Sequence, residues 1–375
     1  MRKMIRAGKR VGWILPAFAV LLLLAACAAQ KEQMAYNPRA EELAKAVISG
    51  NSIAFRKGVD KQTANAVTKK KVPLTVLAAA FGRKDMLETL LANGADPDAC
   101  DSRNVRAIHV AAGKNFVPVL ELLLKKGAII DSPGYYDRTA LMEAGRCGSK
   151  KAFDFLLKNG ADRGKKDALG RTVLMYVCMG PEDQADLVKK LLDEKVNTEE
   201  MDENGHPAVY FAAERGYTES AKLLLEKYPS FDIDGELAAG LLAMKGAIRG
   251  SDKKLAKYIL DKKLPLNRDP HIARVILKRI STSGIYRLMA RNEMLDIRRA
   301  PLLIAAKENN LEMVKFFLEN GASALQKDEK GYDALSLATD RNVISFLKKK
   351  RSEEIRKNRA KNTEEPIFRG RILGN

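Results

Sequence analysis

The chain has 375 residues, of which 46% are hydrophobic and only 6% aromatic, and its formal net charge is +19. The length exceeds that of a usual single globular domain, and the hydrophobic content excludes a chain too polar to bury a core. The low aromatic content favours thin helical layers packed through small side chains. The basic balance points to nucleic acid in a cytosolic protein and to anionic lipid, cell-wall polymer or an acidic protein in an exported one.

The first 26 residues have the layout of a secretory signal peptide. Residues 1–10 are basic, and the apolar run in residues 11–26 is shorter than the roughly 18 to 20 residues that cross a bilayer. Removal of this segment would take away five positive charges and leave a net charge of +14. Because an exported chain does not meet nucleic acid in the cytosol, we expect no nucleic-acid partner.

The end of this segment, Leu24-Ala25-Ala26-Cys27, resembles the bacterial lipobox. The resemblance implies that diacylglycerol is attached to Cys27 and that cleavage makes Cys27 the first residue, with residues 27–37 as a tether. Since each buried methylene contributes about 0.8 kcal/mol, two or three acyl chains would anchor the protein durably at the membrane. Ordinary cleavage without lipidation and an uncleaved membrane anchor are the alternatives.

The residue after Cys27 bears on which membrane is expected. In enteric bacteria an aspartate at that position is the usual inner-membrane retention signal, and here it is Ala28. If the host has two membranes, we therefore expect an outer-membrane location facing the periplasm.

Three features of the chain recur with one period of 33 residues. They are a Gly-Ala dipeptide, a Leu-Leu pair and a single alanine. The dipeptides begin at Gly94, Gly127 and Gly160, the pairs at Leu90, Leu123 and Leu156, and the alanines are Ala78, Ala111 and Ala144. Three features that share one period indicate an array of repeated supersecondary units.

The repeated pattern resembles the ankyrin repeat, in which Thr-Pro-Leu-His-x-Ala-Ala is followed by a glycine and then by Leu-Leu-x-x-Gly-Ala-Asp. The matching segments are 90–96, 106–112, 156–162, 170–174, 301–306, 317–322 and 331–335. The resemblance implies an all-α solenoid of about nine or ten helix–turn–helix repeats, with β-turn fingers and almost no β-structure. A single repeat cannot bury its apolar face, so the array is stable only as a stack.

We place the array at residues 38–350. A degenerate cap at 38–72 is followed by repeats at 73–105, 106–138, 139–171, 172–206, 207–239, 300–332 and 333–350. The repeat at 172–206 carries a two-residue insertion within 179–185. In 240–299 the pattern blurs, and we interpret this stretch as two degenerate repeats, with a helical linker that divides the array as the alternative.

The histidines and cysteines offer no catalytic or metal constellation. His109 occupies the motif position whose imidazole normally hydrogen-bonds between repeats, and His206 and His271 have no second ligand at metal spacing. Cys178 replaces a small core residue, whereas Cys100 and Cys147 fall in other layers, so no disulfide framework is expected. We therefore expect neither an enzyme, nor a metal, nor a cofactor.

In ankyrin repeats, partners usually bind the groove formed by the fingers and the first helices, which marks candidate surfaces here. The finger at 131–138 holds two adjacent tyrosines and an arginine, residue types enriched in binding hot spots. The candidate contacts in this finger are Tyr135, Tyr136 and Arg138, and the neighbouring groove candidates are Arg103, Arg106, Lys114, Arg146 and Met179. One of the tyrosines could instead pack on a neighbouring finger.

The C-terminus, residues 351–375, is predicted to be a basic tail whose first half continues the helical cap. Residues 348–375 hold ten Lys or Arg against four Glu, and basic residues near an anionic surface contribute on the order of 1 kcal/mol each. The favoured function is a non-catalytic protein-binding scaffold, anchored by lipid in the cell envelope, that protects or neutralises a periplasmic partner. The alternative is a basic structural tether to cell-wall or anionic lipid surfaces.

Overall fold

The computed structural model describes residues 36–226, 234–262, 300–328 and 330–364. The predicted signal peptide, Cys27, most of the tether and residues 365–375 lie outside the described residues. In the described part the regular elements are eighteen α-helices and one short 3-10 helix, and β-structure is limited to isolated bridges. None of these helices is long and apolar enough to cross a membrane.

The helices follow one another as nine pairs within the described ranges, in agreement with the predicted all-α solenoid. They are α1 Pro38–Ser49, α2 Ser52–Gly58, α3 Leu74–Ala80, α4 Lys84–Ala92, α5 Ala107–Gly113, α6 Val117–Lys125, α7 Ala140–Cys147, α8 Lys150–Lys158, α9 Val173–Cys178, α10 Ala185–Asp193, α11 Ala208–Glu214, α12 Thr218–Leu225, α13 Asp234–Arg249, α14 Lys253–Asp261, α15 Pro301–Lys307, α16 Leu311–Glu319, α17 Ala334–Leu337 and α18 Arg341–Glu364.

The chain forms two compact units, one up to Tyr176 and one from Val177 onward. In the first unit the first helices of successive pairs (α1, α3, α5 and α7) pack side by side, and so do the second helices (α2, α4, α6 and α8). In the second unit α11, α13, α15 and α17 form one such row, and α10, α12 and α14 form another. Each unit is therefore a stack in which helices contact their counterparts in the adjacent pair.

The residues that set the period occupy the positions that their chemistry predicts. The alanines at 78, 111 and 144 and the leucines at 90, 123 and 156 are all 0% exposed. Replacement of such a leucine by alanine would cost about 2–5 kcal/mol, because a cavity would remain. The glycines at 94, 127 and 160 have φ between 85° and 89°, a left-handed conformation that lacks a steric penalty only without a Cβ.

The fingers share a turn built on one aspartate. At Asp101, Asp167, Asp202 and Asp328 the carboxylate accepts backbone N–H groups two and four residues later, at 2.7–2.9 Å. The backbone N–H of the same aspartate also donates to the carbonyl four residues later, at 2.8–3.1 Å. These bonds satisfy the polar backbone of a loop that leaves the helical stack.

The extra residues predicted within 179–185 are held firmly against the second unit. Gln184 is fully buried and donates from its amide to the carbonyl of Val177 at 3.0 Å. The hydroxyl of Tyr217 donates to the carbonyl of Gly180 at 2.7 Å, and Asp183 accepts the backbone N–H of Glu219 at 3.1 Å. The insertion therefore acts as a packed joint between two helical pairs.

The interpretation of 240–299 as two degenerate repeats is corrected by the packing of α13 and α14. The Arg249 guanidinium lies 3.3 Å from Glu308, the Lys253 ammonium 2.7 Å from Glu312, and the Asn310 amide donates to the carbonyl of Ile248 at 2.6 Å. These bonds join residues 59–62 apart in sequence, and they place the helices of 234–261 directly against α15 and α16. Direct contact leaves no room for another helical layer or a dividing linker.

Only one repeat of this region thus lies in the stack, and residues 263–299 lie outside the described residues. The connector from α14 to α15 comprises 39 residues (262–300), whereas the connector from α4 to α5 comprises 14 (93–106). The sequence pattern blurs because this connector departs from the period, although the layers on either side of it are adjacent.

The boundary predicted between cap and tail at residue 350 is also corrected. The helix α18 passes through that position and continues to Glu364. Arg351 lies 2.9 Å from Asp333, and Glu354 accepts the hydroxyl of Ser323 at 2.6 Å and the backbone N–H of Ala324 at 2.8 Å. The first residues assigned to the tail therefore close the last repeat.

Candidate functional site: a basic groove in the first unit

The finger at 131–138 departs from the shared turn because of His109. His109 accepts the backbone N–H of Arg106 on Nδ1 at 3.1 Å, and its Nε2 lies 2.9 Å from the carbonyl of Ser132. The imidazole thereby fills the space beside Gly134, which stands one period after Asp101. A Cβ on Gly134 would lie 2.8 Å from the Arg138 carbonyl oxygen and 2.9 Å from Nε2 of His109, so the turn aspartate cannot be accommodated there.

Without the turn aspartate, the tyrosine finger uses a strained backbone. Tyr136 and Asp137 have φ values of 54° and 59°, within the left-handed region that side chains with a Cβ rarely adopt. The Tyr136 carbonyl accepts the backbone N–H of Ala168 at 2.9 Å, which ties this finger to the next one. Tyr135 and Tyr136 are 38% and 53% exposed, and their rings meet edge to face with centroids 4.5 Å apart.

A groove of about 390 Å³ opens between this finger and the first helices α5 and α7. Its lining consists of Arg103, Val105, His109, Val110, Gly113, Lys114, Tyr135, Arg138, Glu143, Arg146 and Cys147. The cations come from the finger before α5, from the end of α5, and from both ends of α7. The repeated geometry therefore collects positive charge from three separate parts of the sequence.

One carboxylate organises two of the arginines. Glu143 lies 2.9 Å from the guanidinium of Arg138 and 2.8 Å from that of Arg146, and its side chain is only 15% exposed. The guanidinium carbons of Arg138 and Arg103 lie 5.4 and 5.8 Å from the centroid of the Tyr135 ring. Such pairs hold the guanidinium planes in place by charge and by cation–π attraction.

The groove carries a net positive charge at neutral pH. Burial lowers the pKa of His109 to about 4, and neighbouring Arg106 lowers it further, so the imidazole is neutral. Desolvation raises the pKa of the Cys147 thiol, which is therefore protonated. The four cations of the lining face a single carboxylate, Glu143, and the groove can attract an anionic ligand.

The structure brings together five of the predicted partner contacts in this groove, namely Arg103, Lys114, Tyr135, Arg138 and Arg146. Tyr136 stands beside the groove in the same finger. Met179 is half-buried directly after α9, in the second unit, and is not part of the lining.

The prediction for Arg106 is corrected. Arg106 is only 5% exposed, and its guanidinium donates to the carbonyls of Asn104 and Pro133. It therefore holds two successive fingers together and offers no surface to a partner. Burial follows because the Arg106 side chain lies under the finger that Gly134 and His109 bring close.

The sequence interpretation missed Glu143, which orders the groove. Its signal was present, since Glu143 stands three residues before Arg146 in a predicted first helix, a spacing that places the two side chains on one face. The pairing with Arg138 could not be read in this way because that residue lies in the finger, outside the helix.

The other predicted absences concern the histidines and cysteines. The described residues contain no group of three or more His, Cys, Asp or Glu placed to hold a metal ion. No disulfide joins Cys100, Cys147 or Cys178, and Cys178 is completely buried. The stacked rings of His206 and Tyr210, 3.9 Å apart, give this histidine a packing partner in the second unit.

Comparison with known proteins agrees with the repeat architecture. A family model described as ankyrin repeats in three copies matches residues 75–167, 149–237 and 174–274, and a single ankyrin repeat matches residues 298–329. The two sets of matches lie on either side of the long connector. They cover both compact units.

Two curated relatives show the same level of similarity. The phosphocholine transferase AnkX of Legionella pneumophila is 28% identical over 162 residues, which are 42% of this chain and 17% of the relative. The ankyrin repeat and KH domain-containing protein mask-1 of Caenorhabditis elegans is 28% identical over 247 residues, 62% of this chain and 9% of the relative. The chain thus spans less than a fifth of the length of either relative.

Proposed function

The chain belongs to the ankyrin-repeat family, and from this premise we propose that it is a non-catalytic protein-binding scaffold, anchored by lipid in the bacterial cell envelope. Ankyrin repeats present extended concave surfaces that bind other proteins. The similarity to the phosphocholine transferase rests on the repeats, which are binding modules and carry no catalytic group of their own.

The observation that carries the binding proposal is the basic groove of the first unit. It combines an exposed aromatic pair, ordered arginines and apolar side chains in one concavity. Exposed Tyr and Arg side chains fixed by their neighbours lose little conformational entropy when a partner binds. The strained backbone at Tyr136 fits this role, because strain of this kind accumulates at functional sites.

The location in the envelope rests on the sequence around Cys27. A lipid at this residue would hold the groove near the membrane surface, and a protein partner in the periplasm could be protected or neutralised there. The alternative function, a basic tether to cell-wall or anionic lipid surfaces, is favoured by the exposed cations on α18 beyond its packed turn, among them Arg356, Lys357 and Arg359.

Crosslinking from membranes followed by affinity capture tests the scaffold. Wild type is compared with Tyr135→Ala/Tyr136→Ala and with Tyr332→Ala, which removes a tyrosine that is 47% exposed in a finger of the second unit. We expect one protein to be captured by wild type and by Tyr332→Ala and to be lost from the double variant. The purified pair should then bind in isothermal titration calorimetry with the same dependence on the two tyrosines.

Two outcomes would reject the scaffold. If wild type and both variants capture only envelope polymers, and capture disappears at high salt, the basic tether replaces it. If a captured protein is retained equally by all three forms, the groove is not its binding site.

A further inference from the structure

Building on the proposed scaffold function, we infer that the groove of the first unit recognises an acidic peptide segment whose carboxylates lie about 10 Å apart. The distance follows from the length of α5, since seven residues at 1.5 Å each span about 10 Å. Cations stand at both ends of this helix, and the occupant must therefore supply two negative charges at that separation.

The cations form two poles along the groove. At the finger end, Arg103 precedes α5 and Arg138 precedes α7; at the other end, Lys114 follows α5 and Arg146 lies in the last turn of α7. The helices α5 and α7 pack side by side, so the two cations at each end lie near one another. We call these the finger pole and the helix pole.

Each pole has a cation available to a ligand. Lys114 is exposed and makes no ion pair within the described residues, and the side chain of Arg146 is 44% exposed although it pairs with Glu143. At the finger pole the side chain of Arg103 is 68% exposed, and its nearest carboxylate oxygen, on Asp101, is 3.7 Å away. Incoming carboxylates can therefore approach without first breaking a short ion pair.

The middle of the groove suits an uncharged stretch of peptide. Between the poles lie Val105, Val110, the ring of Tyr135 and the protonated thiol of Cys147. The one carboxylate, on Glu143, is covered by its two arginines and is 15% exposed. An extended peptide rises about 3.3 Å per residue, so residues three apart match the spacing of the poles.

A protein segment fits these observations better than a nucleic acid or a lipid surface. The poles are confined to a concavity of about 390 Å³ with an apolar centre. Continuous phosphate backbones and headgroup layers instead select long or flat basic surfaces. Two isolated charges around an apolar floor favour carboxylates separated by neutral side chains.

Fluorescence anisotropy with synthetic peptides tests this inference on the folded chain. The probe is a labelled decaglutamate, and the reference is the corresponding decaglutamine. We expect the glutamate peptide to bind at least tenfold more tightly than the glutamine peptide at 50 mM NaCl. Arg103→Glu and Lys114→Glu should each weaken binding at least threefold, and the double variant at least tenfold.

A matched charge reversal excludes general attraction to a basic protein. Lys125→Glu/Lys126→Glu changes the same amount of charge on exposed residues at the end of α6, outside the groove. This control should lose less than twofold in affinity for decaglutamate. A control loss equal to that of the groove variant, or no binding of decaglutamate by wild type, would overturn the inference.

The outcome is distinguishable from failure of the scaffold itself. If a captured partner depends on the two tyrosines but not on Arg103 or Lys114, the scaffold stands and the acidic occupant is wrong. Arg103→Gln/Lys114→Gln, which removes both charges without introducing repulsion, should also lose affinity for decaglutamate, and retained affinity in this variant contradicts the two poles.

Discussion

At the scale of single residues, the pairing of His109 with Gly134 determines the shape of the candidate site. The imidazole hydrogen-bonds into the finger, and the missing Cβ of Gly134 leaves room for it. The sequence identified His109 as a structural histidine by its motif position. It could not identify Gly134, because nothing local shows that a side chain 25 residues earlier occupies its space.

Gly134→Ala is expected to destabilise the first unit by about 1–3 kcal/mol, since the new methyl would meet a backbone oxygen and the imidazole at 2.8–2.9 Å. Urea unfolding monitored by circular dichroism measures the change. Gly164→Ala in the next finger is the control, because its Cβ would meet only a flexible carboxylate at 3.3 Å. Equal stability of the two variants would contradict the close approach.

The pH dependence of stability is expected to reflect two opposed groups. Burial lowers the pKa of His109 to about 4, so its contribution to stability is present above pH 6.5 and is lost as the pH falls towards 4. Burial raises the pKa of Asp98 to about 6, despite the N–H of Ile129 that it accepts. Its contribution is present below about pH 3.8 and is lost as the pH rises through 6.

Asp98→Asn removes the second of these groups and preserves an oxygen for the Ile129 N–H. Its free energy of unfolding should therefore fall more steeply than that of wild type between pH 6.5 and 4. Chemical denaturation at half-unit pH steps tests this expectation. Parallel curves for the two proteins would show that Asp98 titrates as an ordinary exposed carboxyl group.

At the scale of elements, the contacts of α13 and α14 with α15 and α16 decide how the repeats are counted. Sequence periodicity assumes that neighbours along the chain are neighbours in the stack. The ion pairs of Arg249 and Lys253 show that helices separated by a 39-residue connector can be adjacent layers. Spacing alone could not reveal this, because a long connector and a degenerate repeat have similar lengths.

Replacement of residues 262–300 by the 14-residue connector 93–106 is expected to preserve the second unit. The helices on either side already contact one another, and a shorter loop changes the closure entropy by no more than about 1 kcal/mol. Hydrogen exchange of α13 and α15 should match that of wild type. Arg249→Ala, which breaks the ion pair with Glu308, is the sensitive comparison and should increase exchange there.

Loss of protection throughout α13–α16 in the shortened protein would mean that residues 263–299 contribute to the core. That result would restore the prediction of a second repeat in this region.

At the scale of the whole molecule, the two ends and the surface charge determine where the groove would work. A lipid at Cys27 would hold the chain at a membrane independently of ionic strength, whereas attraction through basic residues would weaken as salt screens it. The cations of α18 and the groove could add to the first effect but cannot replace it.

Cys27→Ser is expected to abolish labelling by an alkyne analogue of palmitate and to release the protein from membranes washed with 1 M NaCl. Cys147→Ser, at a half-buried thiol of the folded unit, should leave both properties unchanged. If Cys27→Ser stays in the washed membrane fraction, the lipid anchor is wrong. If wild type itself is released by salt, the basic tether accounts for its location.

By itself, the sequence determined the repeat period, the helical class and the buried alanines and leucines, because close packing in a stack requires small and apolar residues at fixed spacing. It also singled out the tyrosine finger and most of the groove cations. Only the tertiary structure decided that Arg106 is buried, that Glu143 joins two arginines, and that α14 and α15 belong to adjacent layers. These properties depend on which side chains meet across repeats, and such contacts leave no signal in the spacing of one chain.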